Sequence, residues 1–431
     1  MIRRMVHVVG AGVAGLSAAV RLAEAGLEVI VHEAAQAAGG RCRSYPDQAL
    51  GLIIDNGNHL LLSGNHAALD YLGRIGSLDS LGGPNAAKFD FADLQSGERW
   101  RLIINEGRLP WWLLDRKRRA PGTSLREYFA PLPMLLRAPA SKTVAQAMKC
   151  AGPLYERLWR PLLLAGLNTD PPEGSAALAS GLMRETLGAG GRACHPLIAA
   201  RGLSRTFVDP ALAYLAARNG RIRFGDRLRE IRFAGSRAVA LEFENRSVKL
   251  AGDAAVVVAV PPLAARELVP GLETPDEFRA IVNAHYRIDP PPGQPAILGV
   301  VNGFIEWLFA YPDRLSVTIS NADRLIDRPR DELAAWIWRE AAALSGLPAE
   351  LPPWRIVKEK RATFASTPAQ NAKRPPAQTR WENLALAGDW IQTGLPATIE
   401  GAVRSGYKAA SIFIEPGAVA PKPRRAPSLS P

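Results

Sequence analysis

Val6-His7-Val8-Val9-Gly10-Ala11-Gly12-Val13-Ala14-Gly15, followed by a helical run from Leu16 to Ala25, Gly26, an apolar Leu27 to Val31 and then Glu33, is the stretch that decides the fold. Its order is strand, glycine loop, helix, strand, acid. Glycines at this spacing, in this context, predict a dinucleotide-binding βαβ unit. Gly10 allows the tight turn, Gly12 lets backbone approach a pyrophosphate, and Gly15 lets the helix pack close to the strand. The helix N-terminus then offers free N–H groups and a partial positive charge to phosphate. Glu33 stands where a carboxylate takes the ribose hydroxyls of an adenosine. An acid there repels a ribose phosphate, which disfavours NADP.

The totals bound the rest. At 431 residues, with 47% hydrophobic and 22% charged residues, the chain has globular composition and length enough for two domains. Its net charge of +12 fits nucleic acid, an anionic membrane surface or an acidic ligand. No nucleic-acid module is present and the arginines are scattered, so no nucleic-acid partner is expected. Cys42, Cys150 and Cys194 have no metal spacing, so no metal site is expected, and their scatter suits a reducing compartment. The first strand begins almost at Met1 and no apolar run is long enough to span a bilayer. The expectation is a cytoplasmic protein, soluble or peripheral on the inner face of the membrane.

Working outward, Gly39-Gly40-Arg41 supplies a flexible backbone and a guanidinium able to pair with phosphate. Leu52-Ile53-Ile54-Asp55-Asn56-Gly57-Asn58-His59-Leu60 is a short strand running into a polar turn, with His59 either a site residue or a turn residue with a backbone partner. Leu203 to Asn219 reads as a helix and Arg221 to Phe224 as a strand. Ala254 to Val260 has the composition of a strand buried on both faces, so the chain returns there to its first sheet. Near the end, Leu384 to Asp389 reads as a strand closed by Gly388-Asp389. Thr398-Ile399-Glu400-Gly401-Ala402 then opens a helix whose N-terminus can stabilise negative charge.

Between these pieces lie excursions. Phe89 to Ile104 reads as a hairpin, Thr143 to Leu167 as a helix, and Asp331 to Ser345 as another. Gly188-Ala189-Gly190-Gly191 follows no strand and reads as a turn, so a second dinucleotide site is not expected. Leu109-Pro110-Trp111-Trp112-Leu113-Leu114 runs into Arg116-Lys117-Arg118-Arg119. Such a sequence suits the boundary of an anionic bilayer, or a buried aromatic pair beside a solvated charge run. From Pro416 the tail has no apolar pattern and is expected to be disordered.

The glycine loop, Glu33, the glycine pair with Arg41 and the Asp-x-Gly-x-His stretch resemble the flavin-dependent amine oxidase and phytoene desaturase superfamily. The resemblance covers nearly the whole chain. One departure is Ala37, where that superfamily usually has an arginine. The resemblance implies an α/β fold: a discontinuous Rossmann-like FAD-binding domain (1–80, 200–263, 381–415) and a mixed α+β substrate domain (81–199, 264–380). It implies noncovalent FAD, held by Gly10, Gly12, Ala14, Gly15, Glu33, Gly40, Arg41, Asn56, Gly57, Asn58, Leu228, Gly388, Asp389, Thr398, Ile399 and Ala402. Leu228 would meet the adenine, and Trp354 to Phe364 would lie over the flavin. Details such as Asn58-His59-Leu60-Leu61-Leu62-Ser63-Gly64-Asn65 and Trp390 resemble the squalene-associated branch. That branch implies reductive removal of the hydroxyl of hydroxysqualene, a hydrophobic isoprenoid substrate and an external electron donor. His59 is then the first candidate acid, with Lys360 and Arg361 behind it. A carotenoid-type desaturase and a non-catalytic prenyl-lipid carrier of the same fold remain alternatives.

Overall fold

Five short strands form a parallel sheet in the order Arg221–Arg223, Glu28–His32, Met5–Val9, Ala255–Val258 and Leu384–Leu386, in the computed structural model, which describes residues 4–414. Ala255–Val258 is buried throughout, as its unbroken apolar composition requires. Ligands of such sheets bind outside the carboxyl ends of the strands, and the glycine loop leaves Met5–Val9 at that end. The first helix, Val13–Glu24, lies against the last, Ile399–Ser411, so the two ends of the chain share one layer. A side chain at Gly406 would come within 2.2 Å of the Ala14 carbonyl and the Ser17 hydroxyl, so only glycine permits this crossing.

A seven-stranded sheet runs in the order Trp354–Phe364, Phe278–Arg287, Arg314–Ile319, Trp307–Tyr311, Ile297–Val301, Lys88–Asp93 and Arg99–Ile103. Period-two alternation divides its side chains between two faces. Val282, Ala284, Tyr286, Leu308, Val317 and Ile319 pack with Leu333, Ile337 and Trp338 of the helix Arg330–Ser345. Burying each of these large side chains contributes roughly 1.5–3 kcal/mol. Their neighbours Asn283, Trp307, Phe309, Tyr311 and Thr318 occupy the other face.

The structure alters three expectations. The helix expected over 143–167 is broken: Val144–Ala147 stops, and helical structure resumes at Tyr155–Trp159 and Arg160–Leu167. Gly152, at φ +105°, lies in the gap, and Pro153 opens the next helical segment, whose first turn tolerates proline where a helix interior does not. Leu60–Leu62, Pro196–Ala199 and Leu81–Gly82 make a small sheet that straddles the expected boundaries at 80 and 200. The two tryptophans of 109–114 part company, Trp112 being buried against Tyr128 while Trp111 faces solvent. The tail from Pro416 lies outside the described residues.

Candidate active site

The glycine loop is shaped by three different constraints. Gly10, at φ +108°, donates its N–H to the His32 carbonyl at 2.7 Å, and a Cβ on it would lie 2.5 Å from the Ala259 carbonyl. A Cβ on Gly15 would lie 1.9 Å from the Gly10 carbonyl. A Cβ on Gly12 would meet nothing within 4 Å, so the loop is open where a phosphate would approach. The helix starting at Val13 has no side-chain cap and no acid in its first turn, which leaves its N-terminal charge for a ligand.

Elements distant in sequence close around this loop. Glu33 accepts from the N–H groups of Ala11 and Ala35, both at 2.8 Å. Gly39 donates to the Ala11 carbonyl at 2.8 Å and bridges to Gly12, which sets Gly40 and Arg41 beside the loop. Asp226 donates its N–H to the Glu33 carbonyl at 2.9 Å and so brings the start of Leu228–Ala234 to the same end. The Asp226 carboxylate also meets His32 at 2.7 Å, and His32 meets His7 at 3.0 Å. The two strand histidines gave no sequence signal, because each fits an apolar strand pattern until Asp226, 194 positions beyond His32, is known to meet that ring.

The C-terminal motif folds against the N-terminal one. Arg41 pairs with Asp389 at 2.7 Å and donates to the Ala362 carbonyl. Thr398 caps the last helix by accepting from Gly401 at 3.0 Å, with Ile399 and Ala402 in its first turn. Gly388 donates its N–H to Ser405 at 2.8 Å. Glu400 is buried and turns away, accepting from Ala67 and Ala68 at the start of the helix His66–Ile75.

Behind this motif sits Arg374, missed in the sequence because Lys373-Arg374-Pro375 reads as a solvated turn. It is 2% exposed and donates to the carbonyls of Leu395 (2.8 Å), Asp389 (3.2 Å) and Ile391, and to the Thr393 hydroxyl. Among the described residues no carboxylate pairs with it, and burial lowers its pKa to about 10. It holds the loop between Asp389 and Leu395 in shape.

Asn56 to His59 link the two sheets. Asn56 reaches Glu359 at 3.3 Å, and a Cβ on Gly57 would lie 3.0 Å from the Asn283 amide nitrogen. The Asn58 side chain points to the seven-stranded sheet, donating to Thr318 at 2.9 Å and accepting from Tyr311 at 3.3 Å. His59 is half-buried beside Arg41. Burial, with help from that cation, lowers its pKa to about 4. The ring is therefore neutral at neutral pH, not an imidazolium, and it donates to the Arg41 backbone carbonyl. Lys360 and Arg361 are exposed on the edge strand, Arg361 over the Phe278 ring, while Ala362 beside them turns inward. The fold thus brings Arg41, His59, Ala362 and Asp389 together and leaves Lys360 and Arg361 facing solvent.

Known proteins match this arrangement. A family model described as flavin containing amine oxidoreductase matches residues 13–412. A hydroxysqualene dehydroxylase of Rhodopseudomonas palustris is 59% identical over 415 residues, covering 96% of this chain and 99% of that protein. A hydroxysqualene dehydroxylase of Sinorhizobium fredii is 54% identical, covering 95% and 98%. Among solved structures, cyclohexylamine oxidase from Brevibacterium oxydans superposes with a TM-score of 0.71 at 19% identity, covering 96% of this chain and 99% of that one. At that identity the likeness concerns the fold.

Proposed function

The chain belongs to the flavin-containing amine oxidoreductases and, within them, to the hydroxysqualene dehydroxylases, and from that premise we propose that it replaces the hydroxyl of hydroxysqualene by hydrogen, giving squalene and water. It is an FAD-dependent oxidoreductase. The full-length likeness to the dehydroxylases carries this reading. FAD bound here would supply the hydride once reduced by a donor from outside the chain.

The chain's own residues divide the remaining work. The open loop at Gly12, with Gly10, Gly15 and the helix start at Ala14, receives the pyrophosphate, and Glu33 the ribose. Gly40, Arg41 and Leu228 flank that end. Asp389 and the helix start at Thr398, Ile399 and Ala402 hold the flavin end. The aromatic face of the seven-stranded sheet, around Trp307, Phe309 and Tyr311, would serve as an apolar wall for the isoprenoid and keep water from a developing allylic cation. His59, neutral, donates its N–H to the Arg41 backbone and so helps to orient that residue.

We further propose peripheral contact with an anionic membrane through residues 109–136. Among the described residues, seven of the ten exposed large apolar side chains lie there, including Trp111, Leu114, Phe129 and Leu136, beside Arg116, Lys117, Arg118, Arg119, Arg126 and Arg137. Apolar anchors next to cations fit an acidic lipid surface. Among the described residues no helix is long and apolar enough to cross a membrane.

The function is tested by incubating the purified holoenzyme anaerobically with hydroxysqualene and a reductant. Squalene is the expected product. Unchanged substrate with flavin bound and reduced contradicts the reading.

A further inference from the structure

The face of the seven-stranded sheet opposite the helix Arg330–Ser345 is aromatic around Trp307, Phe309 and Tyr311, yet two polar side chains lie in its middle. Asn283 and Thr318 are both buried and face each other across paired strands. Polar groups left unpaired in such a setting cost about 1–3 kcal/mol each, so their bonding can be accounted for atom by atom.

Asn58 closes over them. Its Nδ2 donates to Thr318 Oγ1 at 2.9 Å, its backbone N–H donates to Asn283 Oδ1 at 3.4 Å, and its Oδ1 accepts from the Tyr311 phenol at 3.3 Å. Thr318 donates onward to Asn283 Oδ1 at 2.7 Å. Asn283 Nδ2 donates to the Asn56 carbonyl at 3.5 Å, the longest contact of the set. Each amide nitrogen carries two hydrogens. One on Asn58 is therefore unused, one on Asn283 is unused and its other is loosely held, and the Tyr311 oxygen can still accept. This spare capacity is two donors and an acceptor, the complement of an alcohol, whose oxygen accepts twice and donates once.

The cluster also sits in the right part of the molecule. Asn58 precedes His59, which lies beside Arg41, and Arg41 meets Asp389. The cluster thus lies beside the junction of the two cofactor motifs, on the aromatic face of the sheet.

We propose that Asn58, Asn283, Thr318 and Tyr311 seat the substrate's hydroxyl and so determine specificity for an allylic alcohol over the bare polyene. The two amides donate to its oxygen, Tyr311 accepts its hydrogen, and Thr318 fixes both amides in register. A site built to bind a hydroxyl discriminates strongly against the analogue that lacks it, because its own polar groups are then left unpaired. Being neutral, these groups orient the C–O bond without titrating near neutral pH. The inference rests on the dehydroxylase reading.

The test uses the oxidised holoenzyme, titrated with hydroxysqualene and separately with squalene, following the visible flavin spectrum to obtain each Kd. The parent protein is expected to prefer the alcohol. Thr318→Val, which keeps the side chain's shape, should weaken hydroxysqualene about 10-fold, and Asn283→Leu more, with squalene affinity within about 2-fold of the parent. FAD content and Tm identify any variant that fails to fold, and Thr318→Val decides the matter if Asn283→Leu does not fold. A Thr318→Val protein that keeps the parent's preference overturns the role of the cluster. A parent that makes no squalene overturns the dehydroxylase reading instead, so the two failures are distinguishable.

Discussion

Arg41 and Asp389 stand 348 positions apart and meet at 2.7 Å, with the same guanidinium reaching the Ala362 carbonyl of the edge strand. One side chain thus joins the N-terminal glycine motif, the C-terminal acid and the outermost strand of the seven-stranded sheet. The ion pair is partly exposed, so its value lies in placement more than in stability. Arg41→Met is expected to weaken FAD binding about 10-fold or more while leaving Tm of the apoprotein nearly unchanged. Fluorescence titration of apoprotein with FAD measures the first and a thermal melt the second. A variant with parental FAD affinity would show that Arg41 takes no part in holding the cofactor.

Arg374 behaves differently because it is buried. Replacing it by Met leaves the carbonyls of Leu395, Asp389 and Ile391 without their donor. A loss of about 3 kcal/mol or more is expected, with flavin content falling as the loop from Asp389 to Leu395 loosens. Denaturant unfolding and the ratio of flavin to protein absorbance check both. Arg374→Lys should not rescue, because one ammonium cannot span the fan of acceptors.

Stability should rise with pH between about 4 and 6.5. Burial holds His7 and His59 near pKa 4 and His285 near 3, and lowers His32 as well, against an ordinary value of 6.5. In that window the unfolded chain binds protons that the folded chain refuses, so acid favours unfolding. Glu306 opposes this. Burial raises its pKa from 4.5 to about 7, and its contribution falls as pH rises through that range. Burial raises the pKa of Asp55 too, and four histidines outweigh these two carboxyls, so urea unfolding at pH 7 should need a higher midpoint concentration than at pH 5. An equal or lower midpoint at pH 7 would mean that the histidines are not held neutral.

The apolar rim at 109–136 predicts a surface effect without a folding effect. Trp111 and Leu136 are 64% and 76% exposed, so changing both to Ser should leave Tm nearly constant. Binding to vesicles containing phosphatidylglycerol should drop several-fold, and binding of the parent should weaken with salt. Equal sedimentation of parent and variant with those vesicles would rule out this rim as the contact.

Much of this was legible beforehand, for physical reasons. The glycine loop, Glu33 and the buried run at 255–258 carry local signals: a turn only glycine makes, a helix start, a strand apolar on both faces. Ala362 was overlooked beside Lys360 and Arg361, because a backbone carbonyl has no residue signature. Asn283 and Thr318 read as ordinary polar positions of alternating strands. Only the pairing of their strands and the closure of Asn58 give them a shared purpose. Glu400 lay in plain view within its motif, yet its task is to cap a helix start at Ala67 and Ala68 whose own Asn65 makes no capping bond. The division of Trp111 from Trp112 depends on which of two adjacent side chains finds Tyr128, and adjacency in sequence does not say which.

The most direct measurement is a single turnover without oxygen. Holoenzyme reduced in advance and mixed with hydroxysqualene should recover the oxidised flavin spectrum and release one squalene per flavin. Flavin that stays reduced with no squalene formed would contradict the account, and oxidised flavin bleached by a polyene would mean the chemistry runs the other way.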